Sequence, residues 1–489
     1  MTRVDRTRLP TPAPSPAFRF PSIAKQRLDT GLSVWTVEHR SVPVITVIAL
    51  LGIGSAVDPD EQPGLASLTG DMLDEGAGPR SALEVNDALA AIGAQFDTEV
   101  GPDATILTLT TLTRFRERAL ELLGDIVIRP CFDPHEFERV RHLRTNRLRQ
   151  LRDLAPAVAD RAFASLVYAG HPYGHLAIGT ERALQGIELD DVVRFHQRAY
   201  RPADTTLIVV GDGTHAELAG AVLGSFGSWR GSPARDGAFE ASLQRCYGPP
   251  LDPSAGVAIV DRPGAAQSEL RLGHVGVSRR SPDYHALLVL NMVLGGQFVS
   301  RINMNLREDK GYTYGARTAF DFRRGPGPFQ LQVSVQTGVT GAAITEALRE
   351  VRAVGSDRPV DPRELELARA SLTRGYPRNF ETADQIARSA CQLALYELPD
   401  DYFERFVPTI EALDVAAIKH VASTHLHPDR LTAVVVGDRA AVEPQLATIG
   451  LGRPVHLTLE EIEQTPQAAR AAAAAREVPL DSWCESGRA

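Results

Sequence analysis

The chain has 489 residues, of which 43% are hydrophobic and 23% are charged, and its formal net charge is −9. This length predicts several domains rather than one core, and the composition is typical of a globular protein. The acidic balance argues against a nucleic-acid partner, because binding phosphates requires a basic surface. The longest apolar run, residues 42–53, is too short to cross a membrane. We therefore expect no membrane association and a cytoplasmic location.

The first half of the chain alternates between strand and helix patterns. Residues 1–22 are basic and rich in proline, and they are predicted to form a flexible leader. A strand, an Asp-Thr-Gly turn and a second strand follow, and then comes the β-branched run 44–51. Helical periodicity is expected at 64–75 and 82–92, whereas 104–112 alternates like a half-buried strand.

An internal repeat divides the chain into two copies of one α+β domain. The stretch RPADTTLIVVGD ends at Asp212, and the similar HPDRLTAVVVGD ends at Asp438, 226 residues later (438 − 212). An Asp-Pro pair that begins a helix recurs at nearly the same offset, at 133–134 and 361–362. Two tandem homologous domains are therefore predicted, at 23–229 and 254–455. They are joined by a linker at 230–253 and followed by a tail at 456–489.

The segment PGLASLTGDMLDEG, residues 63–76, predicts a helix with a buried stripe that ends at Gly76. It resembles the helix of the insulinase/pitrilysin metallopeptidases that carries the zinc motif H-x-x-E-H. The resemblance places Ser67, Gly70 and Asp71 where that family has its two histidines and its glutamate. It implies that this chain lacks the groups that bind zinc and activate water.

The third zinc ligand of the family is a glutamate about 76 residues after the second histidine. Counting from Asp71 places Arg147 there, and a further family glutamate, seven positions earlier, corresponds to Val140. A hydroxyl is a poor zinc ligand and a guanidinium repels the ion. We therefore expect no metal and no cofactor in this chain.

Arginines recur along the segment that contains Arg147. They have two interpretations, either a solvated helix face paired with nearby acids or an anion site, and the solvated face is favoured. The run comprises Arg139, Arg141, Arg144, Arg147, Arg149 and Arg152.

The second copy contains LGGQFVSR and then NLREDKGYTYG, between residues 294 and 315. These segments resemble the second-domain motif of the same family, and the resemblance implies that Arg307 and Tyr314 bind substrate. Gly311 is predicted to end the helix that carries Arg307, and Tyr314 is expected on a strand that faces the cavity. The alternatives are a surface ion pair for Arg307 and a packing role for Tyr314.

The resemblance implies an α+β fold of the insulinase/mitochondrial-processing-peptidase type, with two domains that enclose a cavity. It also implies a catalytically silent subunit of a heterodimeric zinc metallopeptidase. A homologous H-x-x-E-H partner would carry the zinc, and this chain would close the chamber around a peptide substrate. The alternatives are a structural or assembly protein of the same fold and a peptidase with a metal site rebuilt around Asp71.

Overall fold

Two six-stranded β-sheets dominate the fold. The computed structural model describes residues 18–231, 237–248, 256–447 and 449–463. The strands of the first sheet are β1 (Ala24–Arg27), β2 (Ser33–Glu38), β3 (Val44–Leu51), β4 (Gln95–Val100), β5 (Thr105–Leu112) and β6 (Thr205–Gly211). Those of the second sheet are β7 (Gly256–Asp261), β8 (Gln267–Val275), β9 (Ala316–Phe320), β10 (Pro328–Gln336), β11 (Thr432–Gly437) and β12 (Val455–Leu457).

The two sheets share one connectivity apart from a single edge strand. The first has the order β1-β2-β6-β3-β5-β4 and the second the order β12-β7-β11-β8-β10-β9. Strand β6 inserts between β2 and β3 and pairs in parallel with β2. In the same way, β11 inserts between β7 and β8 and pairs in parallel with β7. The edge strands differ, because β1 is antiparallel to β2 whereas β12 is parallel to β7. The predicted repeat is therefore two copies of one sheet topology.

Helices cover both sheets. Those of the first half are α1 (Leu65–Asp71), α2 (Ala82–Ala91), α3 (Arg116–Ile128), α4 (Pro134–Arg152), α5 (Ala155–Tyr168), α6 (Glu181–Gly186), α7 (Leu189–Ala199), α8 (His215–Phe226) and α9 (Gly237–Tyr247). Those of the second half are α10 (Tyr284–Asn291), α11 (Arg301–Asn303), α12 (Thr340–Gly355), α13 (Pro362–Thr373), α14 (Ala383–Leu395), α15 (Tyr402–Ala412), α16 (Val415–His425), α17 (Arg439–Leu446) and α18 (Leu459–Glu463).

Each unit contributes one helix to the sheet of the other. Helix α5 packs on β8 and β11, so its core includes Val434 and Val436. Helix α14 packs on β3 and β6, and the core on that side includes Ile48 and Ile208. Because the inner strands are apolar on both faces, they need cover from two sides. The exchange of helices supplies this cover and locks the two halves together.

The structure changes several predicted boundaries. The leader is not free throughout, because Phe18 stacks on Phe380 of the second half and Phe20 meets the same ring edge to face. Residues 1–17 lie outside the described residues. The predicted linker contains α9, whose Cys246 is buried in the first core. Of the predicted tail, β12 and α18 are described and residues 464–489 are not. These segments were predicted to be a leader, a linker and a tail from their composition. Composition does not show that individual apolar side chains within them pack on the core.

The stretch Tyr284–Asp309 is long and apolar enough, by length and composition, to cross a membrane. It is 56% buried inside the protein and is interrupted by a turn at 297–300. Two parts of it have π-helical hydrogen bonding, Met292–Gly296 and Met304–Asp309. Core helices meet the same criterion of length and composition, and this stretch packs in the second core.

Candidate functional site

Helix α1 is anchored at its start by a buried carboxylate. Asp58 accepts hydrogen bonds from the backbone N–H groups of Gly64, at 2.7 Å, and Ala66, at 2.8 Å. The ring of His175 lies 3.2 Å from the same carboxylate. Gly64 adopts a φ of 103°, which favours glycine. These contacts fix the position of the helix that bears the three replaced motif residues.

The helix is shorter than the sequence predicts, since it ends at Asp71 rather than near Gly76. Met72 and Leu73 are both fully buried, although neighbouring residues on a helix point about 100° apart. A turn after Asp71 allows both side chains to enter the core.

A buried arginine contacts the motif positions, and it is Arg144 rather than Arg147. Its guanidinium donates to Ser67 Oγ at 3.0 Å and forms an ion pair with the Asp71 carboxylate. It also donates to the carbonyl of Ile178 at 3.1 Å. The side chain of Arg144 is only 9% exposed, whereas Arg147 lies on the exposed face of α4.

The placement of Arg147 from a residue count is therefore wrong by one helical turn. Phe137, Val140, Arg144 and Leu148 form the buried stripe of α4. At helical spacing, Arg144 lies at the centre of that stripe, between Val140 and Leu148. The favoured interpretation of the arginine run holds for Arg141 and Arg149, which pair with acids on the surface, but not for Arg144.

The motif positions do not fit a zinc ion. Zinc in proteins takes thiolate, imidazole and carboxylate ligands, and here one carboxylate is already paired with a cation. At Gly70, a Cβ atom would come within 2.7 Å of Val100 Cγ2, so even a small side chain would require a shift. Within the described residues, no group of three His, Cys, Asp or Glu side chains could hold a metal. Arg144 contributes a positive charge beside Asp71 instead.

Acidic residues continue from Asp71 into the turn after α1. Burial, together with the neighbouring carboxylates of Glu75 and Asp71, raises the pKa of Asp74 to about 6. Glu75 forms an ion pair with Arg139 of α4. Two arginines of α4 therefore face three acids of α1 and its turn, and Asp74 is the acid whose ionisation is suppressed. Asp74 is not among the residues predicted from the sequence, although the three acids Asp71, Asp74 and Glu75 lie close together in the chain.

The second predicted pair lies on the other unit. The guanidinium of Arg307 stacks on the ring of Phe298, 3.3 Å from its centroid, and bonds Glu308. Phe298 itself is 70% exposed. The ion pair with Glu308 is the alternative predicted for Arg307. The stacking on Phe298 was not predicted. The face of the ring attracts the planar guanidinium and favours this orientation.

Tyr314 lies in a bend and is 95% exposed, so its predicted placement on a strand is wrong. Strand β9 begins at Ala316, whose N–H and C=O both bond the side-chain amide of Asn303, at 2.8 and 2.7 Å. This amide ties the start of β9 to the helix before Arg307. Gly311 ends the helix with a φ of 65°, as predicted. The exposure of Tyr314 does not support a packing role.

Comparisons with known proteins identify the family. The model described as "Insulinase (Peptidase family M16)" matches residues 34–181, and "Peptidase M16 inactive domain" matches residues 186–372. The chain therefore belongs to the M16 family of peptidases, which confirms the resemblance drawn from its motifs.

Relatives and solved structures agree with this assignment. An uncharacterized zinc protease of Mycobacterium leprae is 25% identical over 429 residues, covering 87% of this chain and 94% of the relative. Another from Bacillus subtilis is 21% identical over 366 residues, covering 74% and 85%. The crystal structure of a peptidase M16 inactive domain from Pseudomonas fluorescens has a TM-score of 0.79 at 24% identity and covers 85% of this chain and 98% of its own. The two-domain α+β fold is confirmed.

Proposed function

We propose that this chain is the catalytically silent subunit of a heterodimeric zinc metallopeptidase. The observation that carries the proposal is the ion pair of Arg144 with Asp71, which places a cation at positions where the family binds its metal. The comparisons support an M16-type protein. In the proposed complex a homologous H-x-x-E-H chain holds the zinc and hydrolyses peptides, and this chain closes the chamber.

The proposed contribution of this chain to catalysis is the pair Arg307 and Tyr314. A guanidinium can donate two hydrogen bonds to a carbonyl of bound peptide. The contact with the ring of Phe298 favours one plane for the guanidinium of Arg307. A phenol can donate to the oxyanion that develops at the bond being cleaved. The high exposure of Tyr314 leaves its hydroxyl accessible to a peptide or a partner.

The test is peptide cleavage by the reconstituted complex with single variants of this chain. Tyr314→Phe removes only the hydroxyl, so the complex should assemble normally. Loss of one oxyanion donor lowers kcat roughly a hundred- to a thousandfold. Arg307→Ala should mainly raise KM, by roughly ten- to a hundredfold, because hydrogen bonds to charged groups contribute about 1.5–3 kcal/mol.

Two neighbouring residues provide matched controls. Tyr312→Phe removes a phenol two positions away, from a residue packed on the second core. Arg317→Ala removes an exposed arginine of the edge strand β9, which donates to the side chain of Gln332 on β10. Both controls should leave kcat and KM unchanged. Full activity in Tyr314→Phe and Arg307→Ala, with assembly intact, would favour the structural or assembly role instead.

A further inference from the structure

A cleft on the first unit contains an arginine whose charge is not matched by any acid in contact with it. The cleft has a volume of about 490 Å³ and lies between α5, the segment 174–186 and the residues before α1. Arg161 of α5 lines it and donates to the carbonyl of Gly179 at 2.8 Å. Among the described residues no carboxylate lies within ion-pair distance of Arg161. Burial lowers the pKa of its guanidinium, in line with its enclosed position.

The carboxylate of Glu463 acts on Arg161 from beyond ion-pair distance, and it is already engaged. Glu463 lines the same cleft, but it accepts from Arg152 Nε at 2.7 Å and is held by that second guanidinium. The guanidinium of Arg161 therefore donates to one neutral carbonyl, and among the described residues no carboxylate forms an ion pair with it. A partly buried charge without an ion-pair partner would be stabilised by an anion that pairs with it.

A second polar group on the same helix is unsatisfied. Ser165 follows Arg161 by four residues, so both side chains lie on one face of α5. Ser165 lines the cleft, is only 3% exposed, and its hydroxyl has no hydrogen-bond partner. One helix face thus presents an unmatched cation and an unpaired hydroxyl to a single cleft.

We propose that this cleft binds a small monocarboxylate, with Arg161 as its anchor. A guanidinium fork matches a planar carboxylate with two parallel hydrogen bonds. The volume is in the range of small-molecule sites, and Pro63, Leu176 and Ile462 offer apolar surface to the rest of the ligand. Because the carboxylates of Asp60, Glu61 and Glu463 also line the cleft, a dianion such as phosphate is disfavoured. This proposal is independent of the peptidase role.

Calorimetric titration and thermal denaturation of the full chain at pH 8 test the site with four probes. Acetate and benzoate are monocarboxylates, benzamide is a neutral analogue of benzoate, and inorganic phosphate is largely a dianion. Acetate and benzoate should bind and raise Tm, whereas benzamide and phosphate should bind at least about tenfold more weakly. A ligand that binds only the folded state stabilises it by an amount that grows with the logarithm of its concentration relative to Kd.

Variants locate the binding. Arg161→Met should weaken acetate and benzoate at least about tenfold, the loss expected when a charged hydrogen-bonding partner is removed. Ser165→Ala should weaken the binding of acetate and benzoate a few-fold. If Arg161→Met does not fold, Ser165→Ala by itself tests whether the ligands bind in this cleft. Arg147→Met, at an exposed arginine on the neighbouring helix, should bind like the wild type. Equal affinity for benzoate and benzamide, no response to either carboxylate, or unchanged binding in both cleft variants would overturn the proposal.

Discussion

Replacing Arg144 tests whether its guanidinium now stabilises the region where the family binds zinc. Arg144→Met keeps most of the aliphatic length and removes the charge. It leaves Ser67 Oγ, the Asp71 carboxylate and the carbonyl of Ile178 without the donor they have in the wild type. These acceptors lie on α1 and on the segment before α6. The variant therefore loosens the contacts of both with α4, which carries Arg144.

The expected loss of stability depends on how deeply Arg144 and Asp71 are each buried. Removing one partner of a fully buried ion pair costs about 3–5 kcal/mol. Asp71 is 42% exposed, however, so water can rehydrate its carboxylate once the guanidinium is gone. We therefore expect Arg144→Met to reduce the free energy of unfolding by about 2–3 kcal/mol, between the exposed and buried limits. Asp71→Asn leaves the buried guanidinium with neutral acceptors only, so it should cost at least as much, about 3 kcal/mol.

Urea denaturation followed by tryptophan fluorescence measures this loss. Two of the three tryptophans, Trp35 and Trp229, belong to the first unit, so the signal reports the half that contains Arg144. Arg147→Met is the matched control, because its exposed side chain should contribute no more than about 0.5 kcal/mol. If Arg144→Met unfolds at the same urea concentration as the control, the guanidinium does not stabilise these positions and the reasoning fails.

Two further predictions concern the same region. The pKa of Asp74 is raised from 3.8 to about 6, so its stabilising contribution is complete below pH 4 and is lost as the pH rises through 6. Asp74→Asn should therefore be more stable than the wild type by up to about 3 kcal/mol at pH 8, since one pKa unit corresponds to about 1.4 kcal/mol, and equally stable at pH 4. Urea titrations at the two pH values measure the difference, and a gain that is independent of pH would contradict the assignment. Gly70→Ala should destabilise by about 1–3 kcal/mol because its Cβ meets Val100, whereas Gly220→Ala, in open space on α8, should be neutral or stabilising by up to about 1 kcal/mol. Thermal unfolding compares the two, and equal effects would show that Gly70 has room for a side chain.

The repeat was the strongest guide to the fold. Two short segments with nearly equal offsets predicted two copies of one domain, and the two sheets indeed share their strand order. The long strands β3 and β5 were predicted because their apolar periodicity extends over eight residues. The exchange of α5 and α14 between the halves was not predictable in this way. Periodicity shows that a face is buried but does not identify what buries it.

The candidate site was only partly predictable. Ser67, Gly70 and Asp71 were assigned from adjacent positions on one helix, where spacing is fixed. Arg147 was assigned from a count across a loop and several elements, where one turn of error is easily introduced. Tyr314 was placed on a strand from the short segment after Gly311, which has no periodic pattern, and the chain bends there before Ala316. Long-range counting does not register a change of backbone direction, whereas a local periodic stripe does.

Peptide hydrolysis at varied ratios of this chain to its H-x-x-E-H homologue tests the central claim most directly. With total protein held constant, we expect no activity from this chain alone and a maximum at equimolar composition. Metal analysis of the purified complex should give one zinc per heterodimer. Hydrolysis by this chain alone, or an activity that simply follows the amount of the homologue, would contradict the proposal of a silent subunit that completes its partner.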